Sequence, residues 1–272
     1  MRPKASDTEQ YHVACKKGDL AEYLLVPGDP DRVPTIAKYW DSSREIATHR
    51  EFRSFTGKYK GVKISALSSG IGPASMAIAV NEACNIGVKT FIRVGSTGAI
   101  QDDINCGDVI ICSSAVRLDC TSNYYIIPEY PAVASYEVLL ALIEAAETLG
   151  IGNYHVGITA TTADFYAGQS RKTPVTFSSV TESLSPTLQK AGVLNFEMET
   201  ATLYVLASLF GLRAASVCAV YANRLTGEFI SGAGEENAIK IANEAVKILS
   251  EWDAIKRKKK RKWFFPSLAC SR

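Results

Sequence analysis

Short apolar runs alternate with helical patterns along most of this chain, and that alternation is the strongest constraint on its fold. An apolar run at 22–26 stops at Pro-Gly-Asp-Pro and leads into a helix near Pro30. Later strands are predicted at 62–67, 90–94, 107–117, 155–160 and 212–221, and helices at 73–86, 135–149, from near Glu197 and at 236–252, with a polar loop at 162–185. This order is typical of βαβ units. We therefore expect a single α/β domain in which a largely buried mixed sheet carries helices on both faces.

The C-terminal end has a different composition from the rest of the chain. Residues 256–262 read "KRKKKRK", and removing these seven cations from the 30 basic residues leaves 23 against 28 acidic ones. We place the domain at 1–253 and a basic tail at 254–272. Such a run favours a solvated, disordered segment. The alternative is adsorption to nucleic acid or an anionic membrane surface, helped by Trp263, Phe264 and Phe265.

Cysteine use and the absence of apolar spans indicate the compartment. The seven cysteines form no CxxC pair and have no metal-ligand spacing with the three histidines. No apolar run reaches the roughly 18 residues of a membrane span, and the first twenty residues are polar with mixed charge. We expect a cytoplasmic protein with reduced thiols, and neither a membrane nor a nucleic-acid partner for its domain.

Glycine and arginine collect where the predicted strands end. The segments are "PGDPDR" at 27–32, "SSGIGPAS" at 68–75, "RVGSTG" at 93–98 and, less strongly, "YANR" at 221–224. In open α/β folds ligands bind outside the carboxyl ends of the strands. Arg93 stands inside an apolar run, where a guanidinium is costly unless an anion or a strong acceptor meets it. None of these segments is a Walker loop or a GxGxxG fingerprint, so a small oxyanion is the better interpretation.

Two further segments carry polar side chains in apolar or aromatic surroundings. In "NFEMETATLY", Glu197 and Glu199 flank a methionine; they are either two acids in a first helical turn or acceptors for sugar hydroxyls. In "DFYAGQSRK", Gln169 and Arg171 alternate and Phe165 precedes them. That segment is either a solvated loop or a site for a heterocycle that bears carbonyls and an N–H.

Taken together, these segments resemble a known family. "VPGDPDRV", "HREFRSFTG", "SSGIGPASMAIAVNEA", "FIRVGSTGAIQ", "GDVIICSSAVRLD", "DFYAGQSR" and "NFEMETATLY" are similar to the nucleoside phosphorylase superfamily of the trimeric and hexameric kind, in order from about residue 11 to about 252. The details are closest to its uridine phosphorylases. The resemblance implies a partly barrel-like central sheet and reversible phosphorolysis of uridine to uracil and ribose 1-phosphate. It implies no organic cofactor, since inorganic phosphate is the co-substrate.

The resemblance also assigns roles by position. The phosphate site would comprise Gly28, Arg32, Arg50, Arg93 and Ser96, with Arg50 reaching a neighbouring subunit's phosphate. The ribose contacts would be His12, Thr97, Met198 and Glu199, with His12 crossing a dimer interface. The base site would comprise Gly98, Phe165, Gln169, Arg171 and Arg224. Catalysis would depend on Arg93, Gln169, Arg171 and Glu199.

Sharing of sites between subunits implies at least a dimer, and the family type favours a hexamer. Glu51, Ile71 and Ser75 match positions that hold a monovalent cation, such as K⁺, between subunits in some family members. Three departures from the family pattern stand out. Ser96 replaces a more usual Thr, Ala167 replaces the Pro before Gly168, and the loop between Arg171 and Asn195 is shorter and less polar.

Base preference follows from the residues after the last strand. Purine-specific relatives usually carry an Asp there, whereas this chain reads "VYANRLTG" with Asn223 and Arg224. Uridine is therefore expected rather than a purine nucleoside. A purine nucleoside phosphorylase, a nucleosidase that uses water instead of phosphate, and a non-catalytic binding protein on the same scaffold are the alternatives.

Overall fold

The computed structural model describes residues 7–174 and 179–270. Its strands are β1 (Tyr23–Val26), β2 (Ser42–His49), β3 (Phe52–Tyr59), β4 (Val62–Leu67), β5 (Thr90–Ala99), β6 (Val109–Leu118), β7 (Ala132–Val133), β8 (Tyr154–Thr162), β9 (Asn195–Glu197), β10 (Arg213–Asn223) and β11 (Glu228–Phe229). Its helices are α1 (Arg32–Ala37), α2 (Pro73–Asn85), α3 (Tyr136–Thr148), α4 (Ser179–Lys190), α5 (Thr200–Leu209), α6 (Glu235–Lys258) and α7 (Pro266–Cys270). Residues 175–178 of the predicted polar loop and 271–272 of the predicted tail lie outside the described residues.

One mixed sheet contains all of these strands, and part of it closes on itself. β5 pairs with both β9 and β10, and β8 and β6 complete a ring of five strands. β1, β4, β3 and β2 extend the sheet from the other edge of β5. The prediction of a single α/β domain with a mixed, partly barrel-like sheet is confirmed.

Helices cover both faces of the sheet. One apolar core lies under α3 and α6, and a second lies under α2 and α5. The central strands are buried on both sides, which explains why β1, β4 and β10 read as continuous apolar runs. In the described part of the chain, 7–174 and 179–270, no helix is long and apolar enough to cross a membrane.

Several elements differ from the sequence prediction. The hairpin of β2 and β3 was not predicted, because β2 is largely exposed, β3 is mostly half-buried, and both carry charged residues instead of an apolar run. α4 occupies part of the predicted polar loop. α5 begins at Thr200 and not near Glu197, because Glu197 pairs its backbone with β8 at the end of β9.

The structure also differs from the boundary predicted at residue 254. α6 continues through Lys258, and the Phe264 ring stacks on Trp252 with centroids 4.0 Å apart. Glu137 on α3 accepts from Lys256 Nζ at 2.6 Å and from the backbone N–H of Phe264 at 2.9 Å. Phe264 is 3% exposed, and Leu268 is buried beside it. Apolar residues beyond the basic run therefore attach this segment to the core under α3 and α6.

Removal of the Phe264 side chain should destabilise the whole domain. Phe264→Ala is expected to lower the free energy of unfolding by about 3–5 kcal/mol, because it empties a buried aromatic site. Phe265→Ala is the matched control, since Phe265 is 45% exposed and its loss should change stability by less than about 0.5 kcal/mol. Urea denaturation measures both. Equal, small effects would show that the segment does not pack on the domain.

Candidate active site

A cleft of about 1220 Å³ opens where β1, β5, β9 and β10 end. Most residues that the sequence assigned to phosphate, ribose and base line it: Gly28, Arg32, Arg93, Ser96, Thr97, Gly98, Phe165, Gln169, Arg171, Met198, Glu199 and Arg224. Parallel strands bring their carboxyl ends to one edge, so segments far apart in sequence meet there. The cleft also includes Tyr221 from the end of β10, which the sequence analysis did not single out.

Arg93 on β5 is buried between two carboxylates. Its Nε donates to Glu197 Oε2 at 3.0 Å, and its Nη2 lies 2.6 Å from Glu199 Oε2. Glu197 Oε2 also accepts the backbone N–H groups of Glu199 and Thr200, each at 2.9 Å. Glu199 Oε1 accepts the backbone N–H of Gly72 at 2.5 Å. The anomaly of a guanidinium inside an apolar strand is thus resolved by internal carboxylates.

Gly95 makes room for this arginine. A Cβ at position 95 would lie 2.7 Å from Arg93 Nη2 and 2.8 Å from its Cζ. The guanidinium therefore folds back over the backbone of its own strand. Any side chain at position 95 would force Arg93 out of its place between the two carboxylates.

Burial and charge act in opposite directions on this cluster. Desolvation by burial would lower the pKa of Arg93, but the carboxylates of Glu199 and Glu197 outweigh it and raise that pKa. Burial raises the pKa of Glu199; the Arg93 charge opposes that shift and the Glu197 charge adds to it. Arg93 therefore stays charged, and Glu199 holds its proton more readily than an exposed glutamate.

Arg32 at the start of α1 is held through the two terminal nitrogens of its guanidinium. Its Nη1 donates to the carbonyl of Val94 at 3.2 Å, and its Nη2 donates to the Tyr221 hydroxyl at 3.0 Å. The same Nη2 lies 3.0 Å from Glu235 Oε2. Among the described residues, its Nε is buried without a hydrogen-bond partner. Arg32 therefore lines the cleft with a guanidinium that is held through both of its terminal nitrogens.

The opposite end of the cleft contains two arginines without carboxylate partners in the described part of the chain. Arg171 Nε and Arg224 Nη1 are buried and make no hydrogen bond to a described residue. Burial lowers the pKa of Arg171, while burial and then the Arg171 charge lower the pKa of Arg224 to about 10. The Arg171 guanidinium lies 4.2 Å from the centre of the Phe165 ring. This end of the cleft is cationic and partly aromatic, as a carbonyl-bearing ring would require.

Gln169 and Thr97 already have protein partners. Gln169 is 3% exposed, and its backbone carbonyl accepts a hydrogen bond from Arg224 Nη2. Thr97 Oγ1 donates to the carbonyl of Phe196 at 2.6 Å and accepts from Asn195 Nδ2 at 2.6 Å. Because its one proton is used, Thr97 could only accept a hydrogen bond from a sugar hydroxyl.

His12 and Arg50 do not line the cleft of their own protomer. His12 Nδ1 lies 2.6 Å from Glu82 Oε1, and the Arg50 guanidinium lies over the Tyr11 ring at 5.8 Å. The His12 carbonyl is 2.9 Å from His49 Nδ1, next to Arg50 in sequence. The two residues thus lie close together on one surface outside the cleft, as the sequence-based assignment to a neighbouring site requires.

The three residues assigned to a cation lie beside the cleft. Glu51 and Ile71 line it, and Ser75 Oγ donates to the Ile71 carbonyl at 3.0 Å. Within residues 7–174 and 179–270, no group of three or more His, Cys, Asp or Glu side chains could hold a metal ion. A carboxylate, a carbonyl and a hydroxyl are oxygen donors that suit a hard cation.

Comparison with known proteins agrees with this geometry. A uridine phosphorylase of Thermococcus kodakarensis is 59% identical over 264 residues, covering 96% of this chain and 95% of that protein. A uridine phosphorylase of Escherichia coli is 41% identical over 254 residues, covering 90% and 99%. A guanosine phosphorylase of Halorubrum lacusprofundi is 36% identical over 219 residues, covering 80% and 86%. A family model described as Phosphorylase superfamily matches residues 22–251. This chain therefore belongs to the phosphorylase superfamily.

Proposed function

We propose that this chain catalyses the reversible phosphorolysis of uridine to uracil and ribose 1-phosphate. One observation supports this most strongly: a single cleft holds Arg32 at Val94 of β5, Glu199 at Arg93, and Gln169 with Arg224 at Gly98 further along the same strand. Phosphate, ribose and a pyrimidine are needed in that order. The relatives named uridine phosphorylases, at 59% and 41% identity over nine-tenths or more of this chain, support the same substrate.

Phosphate is itself the nucleophile, so the protein needs to position it and not to form a covalent intermediate. The Arg32 guanidinium would donate to one phosphate oxygen, and the Ser96 hydroxyl and the backbone at Gly28 lie in the same cleft. Holding the anion in line with the anomeric carbon converts an encounter in solution into a reaction within a complex.

Glu199 would bind the ribose hydroxyls. Its Oε2 is fixed by Arg93 and its Oε1 by the N–H of Gly72, so the carboxylate does not have to reorganise when the sugar binds. As the glycosidic bond lengthens, positive charge develops on the ribosyl ring. A carboxylate beside that ring stabilises the developing charge.

Arg171 and Gln169 would stabilise the departing base. Uracil leaves as an anion whose charge lies largely on its carbonyl oxygens. A guanidinium without a carboxylate partner interacts more strongly with that anion than with neutral uridine, so its contribution is greatest in the transition state.

The hydrogen bonds of Asn223 favour uridine over a purine nucleoside as the substrate. Asn223 donates to the carbonyls of Gln101 and Ile104, and its Oδ1 accepts the N–H groups of Leu225 and Thr226. All of its hydrogen-bonding capacity therefore joins the loop after β10 to the segment between β5 and β6. It cannot also donate a proton to a purine ring.

We further propose an assembly in which cytoplasmic copies share their sites, with three dimers forming a hexamer that acts in pyrimidine salvage. His12 and Arg50 lie outside their own cleft and would complete the ribose and phosphate ends of a neighbour. A monovalent cation such as K⁺ would be held by the oxygens of Glu51, Ile71 and Ser75 and would join two copies. No organic cofactor is needed.

The first test is substrate dependence. We expect rapid cleavage of uridine, followed by ultraviolet absorbance, only when phosphate is present, and a much slower reaction with inosine. Cleavage of uridine without phosphate would indicate a nucleosidase. Faster cleavage of inosine would reverse the base assignment.

The second test separates two neighbouring cations. Arg171→Ala should lower kcat/KM for uridine about 10²–10³-fold, because it removes a donor to the leaving base. Lys172→Ala removes the same charge from an exposed neighbouring position and should change kcat/KM less than about twofold. Similar losses in both variants would argue for a general charge effect and against a specific contact.

The third test uses stability, because Arg93 and Arg171 differ in their partners. Arg93→Ala leaves Glu197 and Glu199 buried without a cation and should cost about 3–5 kcal/mol of unfolding free energy at neutral pH. Arg171→Ala should cost much less.

The loss in Arg93→Ala should shrink as the pH is lowered. Without the cation that opposes the effect of burial, the folded-state pKa of Glu199 rises further above its unfolded value, so the folded variant binds more protons. Stability is then lost as pH rises through the interval between the two pKa values. Urea denaturation between pH 5 and 8 measures this, and a pH-independent loss would contradict it.

A further inference from the structure

Three side chains form a chain of contacts behind the phosphate end of the cleft. The Tyr221 hydroxyl accepts from Arg32 Nη2 at 3.0 Å and donates to Glu235 Oε2. Glu235 Oε2 also lies 3.0 Å from Arg32 Nη2. Arg32 is 7% exposed, so these contacts form largely away from water.

The Tyr221 hydroxyl acts as a hydrogen-bond donor to the Glu235 carboxylate. Burial, followed by the hydrogen bond to Glu235, raises the pKa of Tyr221 to about 12. The phenol therefore remains protonated near neutral pH. It gives its proton to the carboxylate and keeps its oxygen as an acceptor for Arg32.

Glu235 reaches this position because of the residue before it. Gly234 has a φ of 71°, and a Cβ there would lie 2.5 Å from the carbonyl oxygen of Gly107. The close approach of these two backbones places the first residue of α6 beside Arg32. The loop between β10 and α6, which contributes Gly227, Glu228 and Phe229 to the cleft, is thus joined to the phosphate end.

We propose that Tyr221 and Glu235 are positioning residues that hold the Arg32 guanidinium in the orientation that binds phosphate. The proposal deepens the proposed function and rests on it. With Nη1 on the Val94 carbonyl and Nη2 on the Tyr221–Glu235 pair, the planar guanidinium is held in one orientation beside the cleft that Arg32 lines. An arginine free to rotate would have to be ordered each time phosphate binds.

The test is a split between two kinetic constants in the full-length protein. Tyr221→Phe removes the hydroxyl and keeps the ring. It should raise the KM for phosphate about 5- to 10-fold, with kcat and the KM for uridine changed less than about twofold. Glu235→Ala should raise the phosphate KM more than 10-fold. Glu235→Gln keeps an acceptor oxygen and should restore most of that loss.

The matched controls are Tyr39→Phe and Glu236→Gln. Tyr39 and Glu236 are a second tyrosine–glutamate pair in which burial, followed by the Glu236 carboxylate, raises the pKa of Tyr39, and Glu236 also pairs with Lys240 at 2.6 Å. Glu236 occupies the first turn of α6 next to Glu235, so it reports any general effect of removing charge from that helix end. Both controls should leave the phosphate KM unchanged.

A second measurement does not depend on turnover. Phosphate should raise the thermal unfolding midpoint, and Tyr221→Phe should need about 5- to 10-fold more phosphate for the same rise. A purely structural role would lower the midpoint without changing that phosphate dependence, and this result would overturn the proposal. So would an unchanged or lower phosphate KM in Glu235→Ala. If the unmodified protein does not cleave uridine, the proposed function fails, while the midpoint titration still tests the positioning of Arg32.

Discussion

The ion cluster of Arg93, Glu197 and Glu199 is the interaction on which the rest of the site depends. It joins β5 to β9 and to the first turn of α5, and Glu197 also satisfies two backbone N–H groups where that helix begins. Burying three charges is costly, and mutual pairing with full hydrogen bonding offsets that cost. The cluster fixes Glu199 through Arg93 and through the N–H of Gly72, so the position of this carboxylate in the cleft is set by the fold itself.

The arginines at the two ends of the cleft differ in whether they have carboxylate partners. At the phosphate end, Arg32 and Arg93 face three carboxylates, Glu197, Glu199 and Glu235. At the base end, Arg171 and Arg224 repel each other and have buried nitrogens without partners among the described residues. The base end therefore carries cations without internal counter-ions in the described part of the chain, whereas at the phosphate end each arginine has a carboxylate partner.

Local patterns in the sequence predicted the sheet and most of the cleft. β4 and α2 occur almost at their predicted bounds, because continuous apolar runs and a glycine turn define them. The segments assigned to the phosphate, ribose and base are brought to one cleft, and recognition of the family from seven quoted segments made the assignment of individual residues possible.

Long-range partners could not be predicted in this way. Arg93 and Glu197 are 104 positions apart, and nothing in either segment indicates that the arginine assigned to phosphate pairs with this carboxylate. Tyr221 was quoted only as part of a strand end, and Glu235 reads as an ordinary acid in the first turn of α6. The packing of Phe264 on Trp252 was not predicted, because the basic run before Phe264 dominates the composition of this segment. Composition describes the average of a segment and does not identify a single buried ring.

The balance of charge at the phosphate end has a consequence for how the anion is acquired. Arg32 and Arg93 are paired with three internal carboxylates, so these two arginines add no net positive charge that would concentrate small anions from a distance. Capture must depend on short hydrogen bonds made at contact. The rate of phosphate binding should accordingly vary little with ionic strength. Chloride has no separate oxygens to accept several of these hydrogen bonds, so it should compete poorly with phosphate for the same site.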